Sequence, residues 1–411
     1  MSSAARMIDD LEALKRFGPR EGGGLLRPAY SDIDQQAHDW LLGRMREAGL
    51  QAGYDGAGNL IGRLPANAPD ALPGALVIGS HIDTVPGGGW LDGSYGVLAG
   101  LEVARQLQQS NLPRRHALEV IAFRDEEGRF GPFTGSRAMA GTLDLAKLPG
   151  LRDQAGAMLA PLLPGLGLSA ESFAAAARQP GEIAAYLELH IEQGPLLEAE
   201  GQRIGVVSAI VGQARFSIQF KGQPDHAGTT PMHLRRDAFA ASAEFAARFR
   251  GMILEQGGGV AVGTIGIVRV EPNAGNVVPA DVRLGLEIRD VDGPRLTRLA
   301  EQVERLAQQA VAGSGVTQSV RGIHRTEPAP MAPDFQQAIA AAAAAHGLGA
   351  RVMPSGAGHD AQNFARLVPT GMIFVPSIGG RSHCPEEDTA RADLDAGLTV
   401  LYDVAARYLR G

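Results

Sequence analysis

The stretch ALVIGSHIDTVPGGGWLDG, residues 75–93, decides the fold of this chain. Residues 75–78 are apolar and have the length and β-branched content of a buried strand. His81 follows this strand, and Asp92 lies just before a stretch with helical spacing. The apolar residues of that stretch are Val97, Leu98, Leu101, Val103, Ala104 and Leu107. A buried strand that leads through a loop into a helix indicates an α/β fold.

Three further buried strands are predicted at residues 118–123, 187–189 and 372–375. Each comes before residues that can bind a metal ion, namely Asp125-Glu126-Glu127, His190 and Ser382-His383. The carboxyl ends of parallel strands meet at one edge of a sheet, where residues far apart in sequence converge. The sequence therefore predicts a metal site at this edge.

The sequence pattern changes near Gly212, where Phe216, Ile218 and Phe220 begin to alternate with polar residues. Helical stretches at residues 238–254 and 294–312 complete a strand-helix-strand-strand-helix-strand order, which is typical of a ferredoxin-like α+β sandwich. We predict an α/β catalytic domain formed by residues 1–211 and 327–411. Residues 212–326 are predicted to form a second domain inserted into it.

Charge and cysteine content limit the classes of partner. A formal net charge of -7 without a basic cluster argues against a nucleic-acid partner. The lone cysteine, Cys384, excludes an internal disulfide and favours a reducing compartment. No segment has the pattern of a signal peptide or the apolar length of a membrane span, so we expect a cytoplasmic protein without a membrane partner.

Two aspartates suggest how a pair of cations is held. A carboxylate can bind one cation with each oxygen, which keeps two cations about 3.5 to 4 Å apart, and Asp92 is well placed for this. Asp83 lies two residues after His81 and is predicted to accept the imidazole N–H, which would orient the ring without binding the metal.

The adjacent acids Glu126 and Glu127 allow a division of roles. One would bind a cation, while the other stays free to move a proton from the attacking water to the leaving nitrogen. Cys384 beside His383 allows a rival mechanism with a thiolate nucleophile, as in nitrilase-like carbamoylases. A lone cysteine is more often a small buried hydrophobic residue, so the metal mechanism is favoured.

The chain resembles the zinc-dependent amidohydrolases of the hydantoinase/carbamoylase type, within the aminoacylase and zinc-exopeptidase superfamily. The resemblance covers nearly the whole chain, and the segment HIEQGP at residues 190–195 is similar to the amidohydrolase branch rather than the peptidase branch. The matching segments are residues 79–84, 92–93, 125–130, 189–195, 226–232, 276–279 and 382–383.

The resemblance implies a zinc-exopeptidase-like catalytic domain with an inserted ferredoxin-like domain that serves as lid and dimerisation domain. It implies that Glu126 is the general acid/base, and that His226 reaches the active site of the partner subunit of a homodimer. In the metal site, His81 and His190 would hold one ion, Glu127 and His383 the other, and Asp92 would bridge. The implied substrate-binding residues are Gln193, His226, Asn276 and Arg289.

The activity implied by the resemblance is hydrolysis of an N-carbamoyl-L-amino acid to an L-amino acid, ammonia and carbon dioxide. Its cofactors would be two divalent ions per subunit, zinc first, with manganese, cobalt or nickel as alternatives. Allantoate amidohydrolase and β-ureidopropionase activities are alternatives, because pocket shape decides among small ureido acids. An aminoacylase or dipeptidase on the same metals, and a non-catalytic metal- or ligand-binding protein, are further alternatives.

Overall fold

The computed structural model describes residues 3–411. Contacts between residues divide the chain into two compact units. The host unit contains the residues up to Ser208 together with Met331–Gly411, and the inserted unit is Ala209–Pro330. The domain boundaries predicted from the sequence, 211/212 and 326/327, lie within four residues of the boundaries between these units.

A mixed sheet forms the centre of the host unit. Its strands follow the order β1-β2-β4-β3-β5-β13-β6, and β12 also pairs with β6. The strands are β1 (Gln51–Tyr54), β2 (Leu60–Leu64), β3 (Ala75–His81), β4 (Ala117–Phe123), β5 (Ile183–Ile191), β6 (Ile204–Ile210), β12 (Ala350–Ser355) and β13 (Thr370–Val375).

The four strands β4, β3, β5 and β13 are neighbours and run parallel. Every residue of β3, β4 and β13 is buried, and β5 is buried except for Ala184. Strands that are covered on both faces need a continuous apolar sequence, which explains why the four predicted strands lack alternation. Their carboxyl ends therefore share one edge of the sheet.

Helices pack against this sheet and are well defined at their starts. The hydroxyl of Ser31 caps α2, and a proline at the first position opens α9. The helices of the host unit are α1 (Ser3–Leu14), α2 (Asp32–Glu47), α3 (Ser94–Gln109), α4 (Thr134–Met139), α5 (Ala170–Ala175), α6 (Leu196–Ala199), α9 (Pro333–Ala345), α10 (Ala361–Phe364) and α11 (Arg391–Arg410).

The inserted unit is a four-stranded antiparallel sheet with two helices. The sheet order is β10-β7-β9-β8, and the chain order is the predicted strand-helix-strand-strand-helix-strand. The elements are β7 (Gly212–Lys221), α7 (Ala238–Gln256), β8 (Val262–Glu271), β9 (Asp281–Asp290), α8 (Gly293–Ala310), β10 (Thr317–Thr326) and the short β11 (Ala329–Pro330). The predicted fold class, α/β with an inserted ferredoxin-like sandwich, is confirmed.

One face of the inserted sheet carries the apolar core. Ile218 and Phe220 of β7 are buried with Phe245 of α7 and Leu296 of α8. On β9, buried Val282, Leu284, Leu286 and Ile288 alternate with more exposed residues. This period of two is the pattern of a strand with one covered face.

Sequence periodicity missed several elements of the host unit. Helix α1 and strands β1, β2 and β12 were not predicted, because they are short or have mixed polarity. Strand β6, which is mostly apolar and buried, was also not predicted. The predicted helix at 294–312 begins and ends one to two residues earlier, at Gly293 and Ala310. Within residues 3–411, no helix combines the length and the apolar character that crossing a membrane requires.

Candidate metal centre

The shared edge of the four parallel strands collects the residues that can bind metal. His81 is the last residue of β3, and His190 is the second-to-last residue of β5. Glu127 lies in the loop after β4, whereas His383 lies in the loop that follows β13. The sequence prediction that these side chains converge therefore agrees with their positions in the structure.

Asp92 lies between two groups of side chains. Its Oδ1 is 3.0 Å from Nε2 of His190 and 3.5 Å from Nε2 of His81. Its Oδ2 is 3.1 Å from Nε2 of His383, and that nitrogen is 3.4 Å from Oε1 of Glu127. Each oxygen of the Asp92 carboxylate thus faces a different group, as a bridging ligand must.

The chemistry of the donors fits two divalent cations. The ligand atoms of His81, Asp92 and His190 lie within 4.8 Å of one another, and so do those of Asp92, Glu127 and His383. Imidazole nitrogens and carboxylate oxygens are the donors that zinc and similar ions prefer. The Nδ1 atoms of both buried histidines face main-chain carbonyls, of Asp83 at 3.1 Å and of Ile191 at 2.8 Å, so Nε2 is the nitrogen left for a cation.

The carboxylates and histidines at the site shift one another's pKa. Burial opposes the charged form of Asp92, but hydrogen bonds from His190, His383 and His81 hold the pKa of Asp92 well below its usual range. Burial and the neighbouring Asp92 raise the pKa of Glu127 to about 7. The hydrogen bond to Asp92 leads the causes that raise the pKa of His383 to about 9. Divalent cations would supply the positive charge that these carboxylates otherwise draw from histidine protons.

Glu126 lies beside the ligand groups and belongs to neither. Its Oε2 is 3.6 Å from Nε2 of His81, and the side chain is buried. Burial raises the pKa of Glu126 well above its usual range, His81 opposes this rise, and repulsion from Glu127 adds to it. A carboxyl group that holds a proton more tightly than usual suits general acid/base work near neutral pH.

Asp83 connects the loop after β3 to the loop after β4. Its carboxylate accepts the main-chain amide of Glu127 at 3.2 Å and faces the amide of Glu126 at 3.4 Å. The nearer acceptor for His81 Nδ1 is the Asp83 carbonyl at 3.1 Å, since the carboxylate is 3.5 Å away. The contact predicted from sequence therefore exists, but mainly through the backbone, and the carboxylate orients the two glutamates.

Gln193 projects toward the bridging carboxylate from the loop after β5. Its Nε2 donates to Asp92 Oδ2 at 2.8 Å, and its main-chain amide donates to Ser377 Oγ at 3.0 Å. The side-chain Oε1 can only accept, and it is buried without a hydrogen-bond partner among residues 3–411. A buried acceptor left open beside the cluster is suited to a ligand N–H group.

The remaining predicted residues lie in the inserted unit. His226 and Val277 form an isolated bridge, and the carbonyl of Asn276 accepts the amide of Ala227 at 3.0 Å, so the His226 and Asn276 loops are joined. Both His226 and Asn276 are exposed. Arg289 lies on β9, where its guanidinium donates to Glu287 Oε1 at 2.9 Å.

Two buried residues next to the candidate ligands received no role from the sequence: His359 was noted only as a glycine-flanked loop residue near a cleft, and Glu387 was missed. His359 packs edge-on against His190, with ring centroids 4.5 Å apart, and its Nε2 lies 2.9 Å from the hydroxyl of Ser355. Glu387 is 2% exposed and accepts main-chain amides from the loops of Asp92 and His383. Neither contact leaves a periodic signal in the sequence.

Backbone geometry also marks the site. Asp125, Gln193 and His383 have positive φ values of 58°, 58° and 57°. Non-glycine residues rarely adopt this backbone conformation, and those that do are often found at functional sites. Gly93 also has a positive φ, and glycine is required there for a second reason, because a Cβ would lie 2.4 Å from the His81 ring.

Comparison with known proteins agrees with this geometry. The model of the peptidase family M20/M25/M40 matches residues 77–407. The chain belongs to this family.

Relatives within the M20/M25/M40 family are similar over their full length. An N-carbamoyl-L-amino-acid amidohydrolase of Paenarthrobacter aurescens is 38% identical over 98% of this chain and 97% of the relative. An allantoate amidohydrolase of Bacillus subtilis is 35% identical over 97% of this chain and 96% of the relative. A hydantoinase/carbamoylase family amidase from Burkholderia multivorans has a TM-score of 0.92 and 33% identity, covering 99% of this chain and 98% of that chain.

These matches confirm the resemblance to hydantoinase/carbamoylase amidohydrolases that the sequence predicted. They also confirm that this M20/M25/M40 member is an amidohydrolase. These matches identify no catalytic residue, so the thiol mechanism through Cys384 stays a rival prediction.

Proposed function

We propose that this protein hydrolyses N-carbamoyl-L-amino acids to L-amino acids, ammonia and carbon dioxide. The observation that carries this proposal is the position of Asp92 between two ligand groups, with the buried Glu126 outside both. The M20/M25/M40 family membership and the N-carbamoyl-L-amino-acid amidohydrolase relative support the substrate class.

Two divalent cations complete the proposed site. His81, His190 and Asp92 would hold one, and Asp92, Glu127 and His383 the other. When bound, such ions polarise a carbonyl oxygen and activate water for attack. Zinc is the first choice for a set of histidines and carboxylates, with manganese, cobalt and nickel as alternatives.

Glu126 would move the proton. It would take a proton from the water that attacks the ureido carbon and deliver it to the terminal nitrogen as the C–N bond breaks. Ammonia leaves, and the remaining carbamate of the amino acid decomposes to carbon dioxide and the free amine. Because Glu126 is buried and its pKa is raised, it can be reprotonated near neutral pH.

Gln193 would orient the ureido group. Its unpartnered Oε1 is a buried acceptor, and a ureido group offers several N–H donors. Its Nε2 is fixed on Asp92, so the direction in which Oε1 points is set by the proposed metal centre. An ester or ketone analogue has no N–H group to donate to Gln193 Oε1. The enzyme should therefore discriminate against such analogues.

Residues of the inserted unit would complete substrate recognition. His226 and Asn276 lie on loops joined by main-chain hydrogen bonds, and both offer donors for a developing oxyanion. Arg289 would bind the substrate carboxylate with its planar guanidinium in exchange for Glu287. We propose that His226 acts on the active site of a partner subunit.

A homodimer through the inserted unit is part of the proposal. Strand β8 is at the edge of its sheet and exposes Val262, Ile267 and Val268 by 54 to 56%. An edge strand with exposed apolar residues favours pairing with another chain. We also propose a cytoplasmic location, since the single Cys384 is suited to a reducing compartment.

Allantoate is the second candidate substrate, favoured by the allantoate amidohydrolase relative. β-Ureidopropionate is a third small ureido acid with the same scissile group. The test is ammonia release from a panel of N-carbamoyl-L-amino acids, allantoate, ureidopropionate, N-acetyl amino acids and dipeptides. Turnover of N-carbamoyl-L-amino acids that is lost on chelation and restored by zinc, manganese or cobalt supports the proposal. Preferred hydrolysis of acetyl or peptide bonds, or turnover after complete demetallation, contradicts it.

A further inference from the structure

We propose that Glu387 is a positioning residue of the metal centre, which sets Asp92 and His383 relative to each other and thereby forms the second cation position. The inference rests on the proposed role of Asp92 and His383 as metal ligands. Glu387 itself would bind neither cation.

The contacts of Glu387 join two loops that are distant in sequence. Its Oε1 accepts the main-chain amides of Leu91 and Asp92, each at 3.0 Å, across 296 and 295 residues of sequence. Its Oε2 accepts the amide of His383 at 3.2 Å. One carboxylate therefore holds the backbone of the bridging ligand with one oxygen and the backbone of His383 with the other.

A hydroxyl strengthens this link. Ser382 Oγ lies 2.9 Å from Glu387 Oε2 and 3.0 Å from Asp92 Oδ2. Its single proton can be donated to only one of these oxygens at a time. When Asp92 uses its oxygens on cations, Glu387 is the acceptor that remains for Ser382.

The acceptors of Glu387 are all in use, which separates its role from that of a ligand. Four donors converge on its two oxygens. The side chain is 2% exposed, and a buried carboxylate is costly unless donors surround it. Residues 3–411 contain no group of potential metal ligands within 4.8 Å that includes Glu387.

His383 needs such a support more than the other histidines do. The side chain of His383 is 48% exposed, whereas those of His81 and His190 are 2% and 1% exposed. Its backbone has a φ of 57°, in the left-handed region that non-glycine residues rarely adopt. Packing contributes less to the position of a half-exposed ring, so the hydrogen bond from the His383 amide to Glu387 matters more for where this side chain starts.

The space for the Glu387 carboxylate depends on a glycine. A Cβ at Gly89 would lie 2.2 Å from Cδ and Oε1 of Glu387. That Cβ would also lie 2.4 Å from Cβ of Glu387, so an alanine there would displace the whole Glu387 side chain without removing its charge. Gly89→Ala and Glu387→Gln therefore disturb the same contacts in different ways.

The experiment measures binding of Co²⁺ to the full-length chain without substrate. Glutamine has the shape of glutamate but one acceptor oxygen, so in Glu387→Gln one pair of donors faces an NH2 group. We expect wild type to bind two Co²⁺ per chain with two sets of visible absorption bands. Glu387→Gln should keep one and bind the other about 10- to 100-fold more weakly, the typical effect of losing a partner that orients metal ligands. Gly89→Ala should weaken the same binding step.

Asp290→Asn is the matched control. Asp290 is also fully buried and accepts a main-chain amide, of Asp292 at 3.0 Å, and the Arg295 guanidinium at 2.6 Å. It lies in the inserted unit, so this variant should lower the melting temperature without changing Co²⁺ binding.

Two wild-type-like Co²⁺ affinities and spectra in Glu387→Gln would overturn the positioning role. If that variant does not fold, the same result in Gly89→Ala has the same meaning. Wild type that binds no Co²⁺ would instead contradict the proposed metal centre, so the two failures are distinguishable.

Discussion

The carboxylate of Asp83 accepts the main-chain amide of Glu127 at 3.2 Å. Glu127 is a proposed ligand, and the amide of Glu126 faces the other oxygen of Asp83 at 3.4 Å. The backbone of the proton-transferring residue and that of its ligand neighbour are thus held by one side chain. The residue predicted to orient His81 has a second and larger role in placing the two glutamates.

We predict that Asp83→Asn weakens zinc binding. The asparagine has one acceptor oxygen for two amide donors, so at least one glutamate loses its support. A loss of about 10- to 100-fold in zinc affinity is expected, measured by competition with a chromogenic chelator. Asp55→Asn is the control, since Asp55 accepts the amides of Ala57 and Asn59, both at 2.9 Å, in a loop without proposed ligands. Equal zinc affinities in the two variants would contradict this role of Asp83.

Glu126→Gln should retain both cations and lose turnover. Glutamine cannot accept a proton from water, and general acid/base groups typically contribute about 10²- to 10⁴-fold to the rate. Ammonia release gives kcat, and elemental analysis gives the bound metal. Glu127→Gln is the comparison, because it should lose metal from the position shared with His383. A Glu126→Gln variant near the wild-type rate would refute the assignment.

His38 should contribute to the loss of stability in acid. It is fully buried in α2, and burial, aided by the charge of Arg124 and opposed by Asp34, lowers its pKa from 6.5. Between this lowered pKa and 6.5 the unfolded chain binds the proton more fully than the folded chain does, so the free energy of unfolding falls as the pH falls through this range. The limit is about 1.4 kcal/mol per pH unit for one group.

The test compares wild type with His38→Gln in urea titrations from pH 7.5 to about 5, both without metal. Glutamine cannot titrate in this range, so the free energy of unfolding of the variant should fall less steeply with acid. Parallel curves for the two proteins would show that His38 remains protonatable in the folded state.

Charges on β8 should separate the proposed dimer. Val262 and Val268 are 54% and 56% exposed on this edge strand, and lysines there would repel a second copy. Light scattering after gel filtration should change from twice the 43.0 kDa chain mass in wild type to one chain mass in Val262→Lys/Val268→Lys. Leu367→Lys, at a residue 56% exposed in the host unit, is the control and should remain dimeric. Monomeric wild type would contradict the dimer proposal itself.

The sequence predicted the buried strands, and it also predicted which metal-binding side chains come together, because both have local signals. Apolar runs without alternation indicate strands that are covered on both faces, and His81, His190 and Glu127 lie at or close to the ends of such strands. The alternation on β7 and β9 and the helices between them were enough to predict the inserted sandwich.

The supporting residues could not be predicted in this way. Glu387 contacts main-chain amides, which every residue except proline has, so the residues it contacts give no compositional signal. Glu387 and Asp92 are 295 residues apart in the sequence, and they come close together only once the sheet has formed. The strands at the sheet edge, such as β1 and β12, were missed because they are short and part exposed.

The chain passes between the host unit and the inserted unit at two places, and their geometry bears on whether the inserted unit can be replaced. Ile210 near the start of the inserted unit and Ala329 near its end are paired across antiparallel strands. A tight hairpin turn can connect the ends of two neighbouring antiparallel strands. A host with such an opening can accept a different module, or a simple turn, without a change in the order of its own strands. The recognition elements proposed for the insert can therefore diversify while the host sheet stays the same.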